Sequence, residues 1–126
     1  MNILYLEDNP NDALLTQHAL GRASPAISVE VVHTLADAYK KLETQASNFD
    51  LVLSDLNLPD GSGFNLLSHI RTKNLPYAVV VVTGQSDEDI AAAALKAGAD
   101  DYIPKKEDYL NRLPADRKST RLNSSH

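Results

Sequence analysis

The sequence has no cysteine, no excess of basic residues, no apolar run approaching a membrane span and no internal repeat within residues 1–115. Without cysteine there are no disulfides, no thiolate metal site and no thiol nucleophile. Lys and Arg total 12 against 17 for Asp and Glu, so the net charge is −5. That balance disfavours a general nucleic-acid surface, and no direct nucleic-acid binding is expected. No transmembrane segment is expected either. The opening Met1-Asn2-Ile3-Leu4-Tyr5-Leu6 is uncharged and runs straight into acids, unlike a signal peptide. A cytoplasmic location fits these features. His18, His33, His69 and His126 lack metal-ligand spacing and read as surface or interface residues. What is present is a chain of 126 residues, 43% hydrophobic, which suits one compact domain with a real core.

Five short apolar runs alternate with segments of helical period. The runs are Ile3–Leu6, Val29–Val32, Leu51–Leu53, Val79–Val82 and Tyr102–Ile103. Three are apolar at consecutive positions, as in strands buried on both faces of a parallel sheet. Ser28-Val29-Glu30-Val31 alternates and reads as an edge strand. Between the runs, Leu35, Ala38, Tyr39 and Leu42 follow helical spacing behind Thr34 as N-cap. Gly63, Leu66, Leu67 and Ile70 repeat the pattern, as do Ile90, Ala93, Ala94 and Ala97. Ser86 and Asp89 resemble a capping box, and Gly98 stops that helix. Asn11 to Arg22 reads as the first helix, ended by Gly21 and Pro25. Strand–helix alternation predicts a doubly wound α/β fold.

The end of the chain has a different character. Residues 116–126, Asp116-Arg117-Lys118-Ser119-Thr120-Arg121-Leu122-Asn123-Ser124-Ser125-His126, have no apolar period. They match, residue for residue, one reading frame of a common sequencing-library adapter. The expectation is therefore a domain over residues 1–115 and a non-native polar tail over 116–126. The final helix, begun at Asp108-Tyr109-Leu110-Asn111-Arg112-Leu113, is then cut short.

In open α/β sheets, ligands bind beyond the carboxyl ends of the strands. Glu7 and Asp8 follow the first run, Asp55 ends the third, Thr83 and Gly84 end the fourth, and Lys105 and Lys106 follow the fifth. Carboxylates gathered this way repel one another, and a hard dication relieves the conflict. Mg2+ takes oxygen ligands and commonly binds one or two carboxylates together with phosphate oxygens. Asp8 and Asp55 can supply those carboxylates, with Glu7 acting directly or through water. Phosphoryl transfer needs positioning and charge neutralisation above all. Lys105 would add positive charge, Thr83 a hydrogen bond, and Gly84 open space beside a phosphoryl group held on Asp55.

This ordered set resembles the receiver domain of two-component response regulators. Pro59-Asp60-Gly61-Ser62-Gly63 resembles the family's loop after the phosphoacceptor, and Ala97-Gly98-Ala99-Asp100-Asp101-Tyr102 its approach to the last strand. The similarity covers residues 2 to about 113. It implies a flavodoxin-like, five-stranded parallel sheet of order 2-1-3-4-5 with a truncated fifth helix. It implies Asp55 as phosphoacceptor and Mg2+ held by Asp8, Asp55 and the Asn57 backbone carbonyl, with Glu7 completing the acidic pair. Thr83, Gly84 and Lys105 would contact the phosphoryl group. Thr83 and Tyr102 would form the switch, and Asn57 and Gln85 would tune acyl-phosphate lifetime. The implied partner is a sensor histidine kinase or phosphotransfer protein. The implied output is a changed surface on the fourth helix, fifth strand and fifth helix, through which a homodimer can form. One departure stands out: Lys106 occupies a position where the family usually has proline, and Pro104 precedes Lys105.

Other readings are weighed beside this one. Glu7 and Asp8 could merely cap the first helix, aided by Asn9 and Pro10. An aspartyl-nucleophile phosphohydrolase would want a second acid two residues after Asp55, where Asn57 stands. A flavodoxin-like cofactor binder would want a hydroxyl- and Gly-rich loop in place of Glu7-Asp8-Asn9-Pro10-Asn11-Asp12. A phosphorylation-independent interaction module would have no use for a complete acidic pocket. The expectation is a phosphoacceptor that assists its own phosphorylation and dephosphorylation, not an enzyme.

Overall fold

In the computed structural model, residues 1–44, 48–84 and 88–104 are described. The elements are β1 (Asn2–Leu6), α1 (Pro10–Ala23), β2 (Ser28–Val32), α2 (Leu35–Thr44), β3 (Leu51–Asp55), β4 (Asn57–Leu58), β5 (Gly61–Ser62), α3 (Gly63–Thr72), β6 (Ala78–Thr83), α4 (Glu88–Lys96) and β7 (Asp101–Pro104). The five longer strands form one sheet in the order β2-β1-β3-β6-β7, every neighbouring pair parallel. Leaving out the two-residue ribbon of β4 and β5, this is the expected order 2-1-3-4-5. Each apolar run became a strand, extended by one or two residues.

The sheet is covered on both faces, and strand alternation decides which side chain goes where. Ile3, Tyr5, Leu51, Leu53, Val80 and Val82 share one core with Ala13 and Leu20 of α1. Leu4, Leu6, Val52, Val79 and Val81 share the other with buried residues of α2, α3 and α4. Each fully buried Leu, Ile or Val contributes about 1.5–3 kcal/mol relative to exposure. The central strands β3 and β6 are buried along their whole lengths, whereas β2 lies at an edge and is mostly half-buried.

Helix starts are set by side chains that accept otherwise unpaired N–H groups. Asn9 caps α1, its Oδ1 accepting from Asn11 and Asp12, with Pro10 at the first helical position. The helix runs past Gly21 to Ala23 and closes on Ser24. Thr34 caps α2 through its hydroxyl, and Asp60 adds a second cap from the β4–β5 turn. Ser62 and Asn65 make a reciprocal capping box on α3. In α4 only Ala94 is fully buried, Ala93 is exposed, and Ala97 falls in the following turn. Gly98 ends that segment with φ of 111°, a conformation that favours glycine.

Arg71, in the last turn of α3, joins three segments. Its guanidinium donates to the Gly98 carbonyl at 2.9 Å, the Tyr77 carbonyl at 2.9 Å and Asp100 Oδ2 at 3.1 Å. Asp100 Oδ2 also accepts the Val79 N–H at 2.8 Å. The capping pair Ser86–Asp89, the final helix from Asp108 and the segment 116–126 lie wholly or partly outside the described residues.

Candidate functional site

Among the described residues, Glu7, Asp8, Asp55, Thr83 and Gly84 sit at the carboxyl edge of the sheet. The parallel register places Leu6 beside Ser54 and Asp55 beside Val82, so the ends of β1, β3 and β6 meet at one level. Glu7, Asp8 and Asp55 converge there, each offering a carboxylate oxygen within 4.8 Å of the others. Glu7 is fully buried, Asp55 is 8% exposed and Asp8 is exposed. The cluster is thus open on the Asp8 side and enclosed on the Glu7 side.

Each carboxylate is oriented by its surroundings. Glu7 N–H donates to the Val32 carbonyl at 2.9 Å, extending the β1–β2 ladder by one residue. Its Oε1 accepts from the Tyr5 hydroxyl at 3.0 Å and its Oε2 from the Asn9 N–H at 3.2 Å. Asp55 Oδ1 accepts the Leu56 N–H at 2.7 Å, which fixes the carboxylate plane. Behind Asp55, Gly63 comes so close that an added Cβ would lie 2.6 Å from the Asp55 carbonyl oxygen. Asn9, rather than Glu7 or Asp8, is the helix cap, which releases the two acids from that duty.

Asn57 is exposed and pairs with Ser62 in the ribbon. Gly63 N–H donates to the Leu56 carbonyl at 2.8 Å. An antiparallel pair flanked by such a bond is the non-hydrogen-bonded kind, so the Asn57 carbonyl points out of the ribbon. Asp60 ties this ribbon to α2, its two oxygens accepting from Leu35 N–H at 2.8 Å and Ala36 N–H at 3.1 Å. The Leu35 bond is the main reason its carboxyl lies below the usual aspartate range. Burial, and next the Asp60 charge, push the nearby Tyr39 phenol up.

Thr83 is fully buried at the end of β6, and Gly84 is exposed, with no other described residue beyond its chain neighbours within 4 Å of where a Cβ would stand. Val81 is paired with Tyr102, and alternation puts Thr83 on the same face as Val81. Tyr102 is half-buried against that core. Thr83 and Tyr102 therefore share the α4 side of the sheet. Gln85, Lys105 and Lys106 lie outside the described residues. His18 and His33 are exposed, and His69 is half-buried with its ring centroid 4.6 Å from that of Tyr39. A groove of about 410 Å³ lined by Tyr39, Leu42, Glu43, His69, Lys73 and Leu75 lies where α2 and α3 end, at the opposite pole from the acids.

Sequence reasoning missed Tyr5 and Thr16. Both are fully buried, and their hydroxyls lie 3.3 Å apart behind Glu7. A signal was present: residues two apart in a strand share a face, so Tyr5 points the same way as the acid at position 7.

The family pattern described as Response regulator receiver domain matches residues 3–114. The chain is 33% identical over 114 residues to the methanogenesis regulatory protein FilR1 of Methanothrix harundinacea, covering 90% of this chain and 26% of that protein. The chain thus spans about a quarter of the length of that relative. The non-phosphorylated HemR receiver domain of Leptospira biflexa is similar in structure, with TM-score 0.79 and 28% identity over 93% of this chain and 92% of that one. A Burkholderia pseudomallei response regulator with a phosphorylated aspartic acid, calcium ion and citrate gives TM-score 0.77 and 25% identity over 98% of this chain and 70% of that one. With three acids converging at the ends of β1 and β3, and the family pattern matching residues 3–114, the chain belongs to the response regulator receiver domain family of two-component systems.

Proposed function

We propose that Asp55 is the phosphoacceptor of this receiver domain and that residues 1–115 form the receiver unit. One observation carries the reading: a mostly buried, oriented Asp55 carboxylate lies within reach of the Glu7 and Asp8 carboxylates at the carboxyl edge of the sheet. The family match over residues 3–114 supports the boundary.

The donor is a sensor histidine kinase or phosphotransfer protein. An Asp55 carboxylate oxygen bonds to phosphorus, the donor's phosphorus–nitrogen bond breaks, and its electron pair stays on the donor imidazole. The donor set fits a hard dication: all-oxygen ligands, enclosed on one side and open to solvent on the other. Asp8, Asp55 and the outward Asn57 carbonyl would hold Mg2+, with Glu7 beside them. Bound there, Mg2+ supplies the positive charge that offsets the carboxylates and the phosphoryl oxygens. Thr83 donates to the phosphoryl group, and Gly84 leaves room for it. Lys105 adds a cation, and Asn57 and Gln85 set how long the acyl phosphate survives.

Output follows from the shared face of Thr83 and Tyr102. Motion of Thr83 toward the phosphoryl group makes space that Tyr102 fills, which changes the α4–β7 surface. Leu95, about half exposed on α4, is an apolar side chain available there to a partner, a second copy included. Among the described residues no helix is long and apolar enough to cross a membrane; the family match supports a cytoplasmic site of action. Incubation with acetyl phosphate and Mg2+ should add one phosphoryl group, detected by intact mass, and Asp55→Asn should abolish it. A wild type left unmodified by both small-molecule and kinase donors would refute the reading.

A further inference from the structure

The alternation that aims Glu7 at the acidic cluster also aims Tyr5 at Glu7. We propose that Tyr5, backed by Thr16, is a positioning residue that holds the Glu7 carboxylate in place and thereby sets the divalent-cation affinity of the cluster. The inference rests on the reading of Glu7, Asp8 and Asp55 as a cation site.

Tyr5, Glu7 and Thr16 are each 0% exposed. The Tyr5 hydroxyl donates to Glu7 Oε1 at 3.0 Å and lies 3.3 Å from Thr16 Oγ1 on α1. Asn9 N–H engages the other oxygen, Oε2, at 3.2 Å. The carboxylate is held at both oxygens, by a hydroxyl rising from the strand and by the backbone entering the helix. The rest of the Tyr5 layer is apolar, built from Ile3, Ala13, Leu20, Leu51 and Leu53. A hydroxyl in such a layer needs partners, and here the partners lead to the cluster. Glutamate has one more rotatable bond than aspartate, so an unrestrained Glu7 would lose more freedom when a cation binds. Tyr5 removes that freedom beforehand, and pre-ordering of this kind strengthens binding. Groups behind a metal's ligands act in this way, and losing one typically weakens binding about 10- to 100-fold.

The test measures Mn2+ binding to the whole chain by electron paramagnetic resonance, with Mg2+ as competitor. The proteins are wild type, Tyr5→Phe, Thr16→Val, Glu7→Asp and the double variant Tyr5→Phe/Glu7→Asp, with folding checked by circular dichroism. Tyr5→Phe should raise the dissociation constant about 10-fold, and Thr16→Val by less. Asp at position 7 is one methylene shorter and falls back from the hydroxyl. In that background Tyr5→Phe should change the constant less than about twofold, the non-additivity expected if Tyr5 acts through Glu7. A purely structural Tyr5 would give the same loss in both backgrounds, and that result would overturn the proposal. So would a folded Tyr5→Phe that binds Mn2+ as tightly as wild type, while leaving the cation site itself standing. A wild type that binds no cation would overturn both. If Tyr5→Phe does not fold, Thr16→Val carries the test: weakened binding supports the proposal and unchanged binding overturns it.

Discussion

Arg71 is 19% exposed and its partner Asp100 11%, so their ion pair is only partly screened by water. Replacing Arg71 with Met keeps the aliphatic stem and removes the bonds it donates to Gly98, Tyr77 and Asp100. Bonds to charged groups contribute about 1.5–3 kcal/mol each, so simple addition would give roughly 4–9 kcal/mol. That total is too large. The two carbonyls can recruit water, and Asp100 keeps the Val79 N–H. Losing one partner of a buried pair costs about 3–5 kcal/mol, and partial exposure puts Arg71→Met at the low end, about 3 kcal/mol. For a domain of this size each kcal/mol lowers Tm by about 4 °C, so the loss should be about 12 °C. The chain has no tryptophan, so urea unfolding is best followed by far-UV circular dichroism. Asp100→Asn keeps an acceptor for Val79 and should cost less, about 1–2 kcal/mol. Phosphoryl uptake from acetyl phosphate should be unchanged well below Tm, because this hub lies at the pole away from Asp55. A loss under about 1 kcal/mol for Arg71→Met, or Asp100→Asn costing more than it, would refute the reasoning.

Three further substitutions probe the site. Gly63→Ala would drive a Cβ to 2.6 Å from the Asp55 carbonyl oxygen, so it should cost about 1–3 kcal/mol in urea unfolding and slow phosphoryl uptake together; normal values of both would contradict that contact. Gly84→Val should leave stability within about 0.5 kcal/mol yet slow uptake, because the side chain meets no other described residue within 4 Å of its Cβ; an unchanged rate would place the phosphoryl group elsewhere. The folded-state pKa of Asp60 is depressed, so its contribution is present above the unfolded pKa and is lost as pH falls through the folded one. Wild type should therefore be more stable than Asp60→Asn at neutral pH, with the gap closing below the ordinary aspartate value of 3.8 in acid-unfolding curves.

The strands were legible because burial on both faces leaves a continuous apolar run, as in Val79–Val82, that no surface segment needs. The acids were legible because Glu7, Asp8 and Asp55 each lie within two residues of the end of such a run. What escaped were groups whose partners are distant in sequence. Asp60 read as a turn residue, yet it caps a helix that starts 25 positions earlier. Arg71 read as an unremarked helix residue, yet its ion-pair partner is 29 positions away. The α3 capping box uses Asn65 where Glu or Gln is the usual signature, so it was not recognised. In α4 the spacing overstated the buried stripe: Ala94 is buried and Ile90 packs half-buried against the core, while Ala93 and Ala97 are exposed. Tyr5 was counted with its apolar neighbours because hydropathy patterning does not register where a hydroxyl points.

The strand β6, Ala-Val-Val-Val-Val-Thr, is paired on one edge with β3 and on the other with β7, and is buried along its length. Six residues without charge or proline and rich in β-branched side chains are also the composition of an aggregation-prone segment. During synthesis β6 leaves the ribosome before β7, so for that interval one of its edges is open and its faces are not yet closed. The strand that carries Thr83 to the proposed phosphorylation site is thus a hazard before folding is complete. Circularly permuted versions that delay β7 should fail by precipitation, seen as loss of soluble protein.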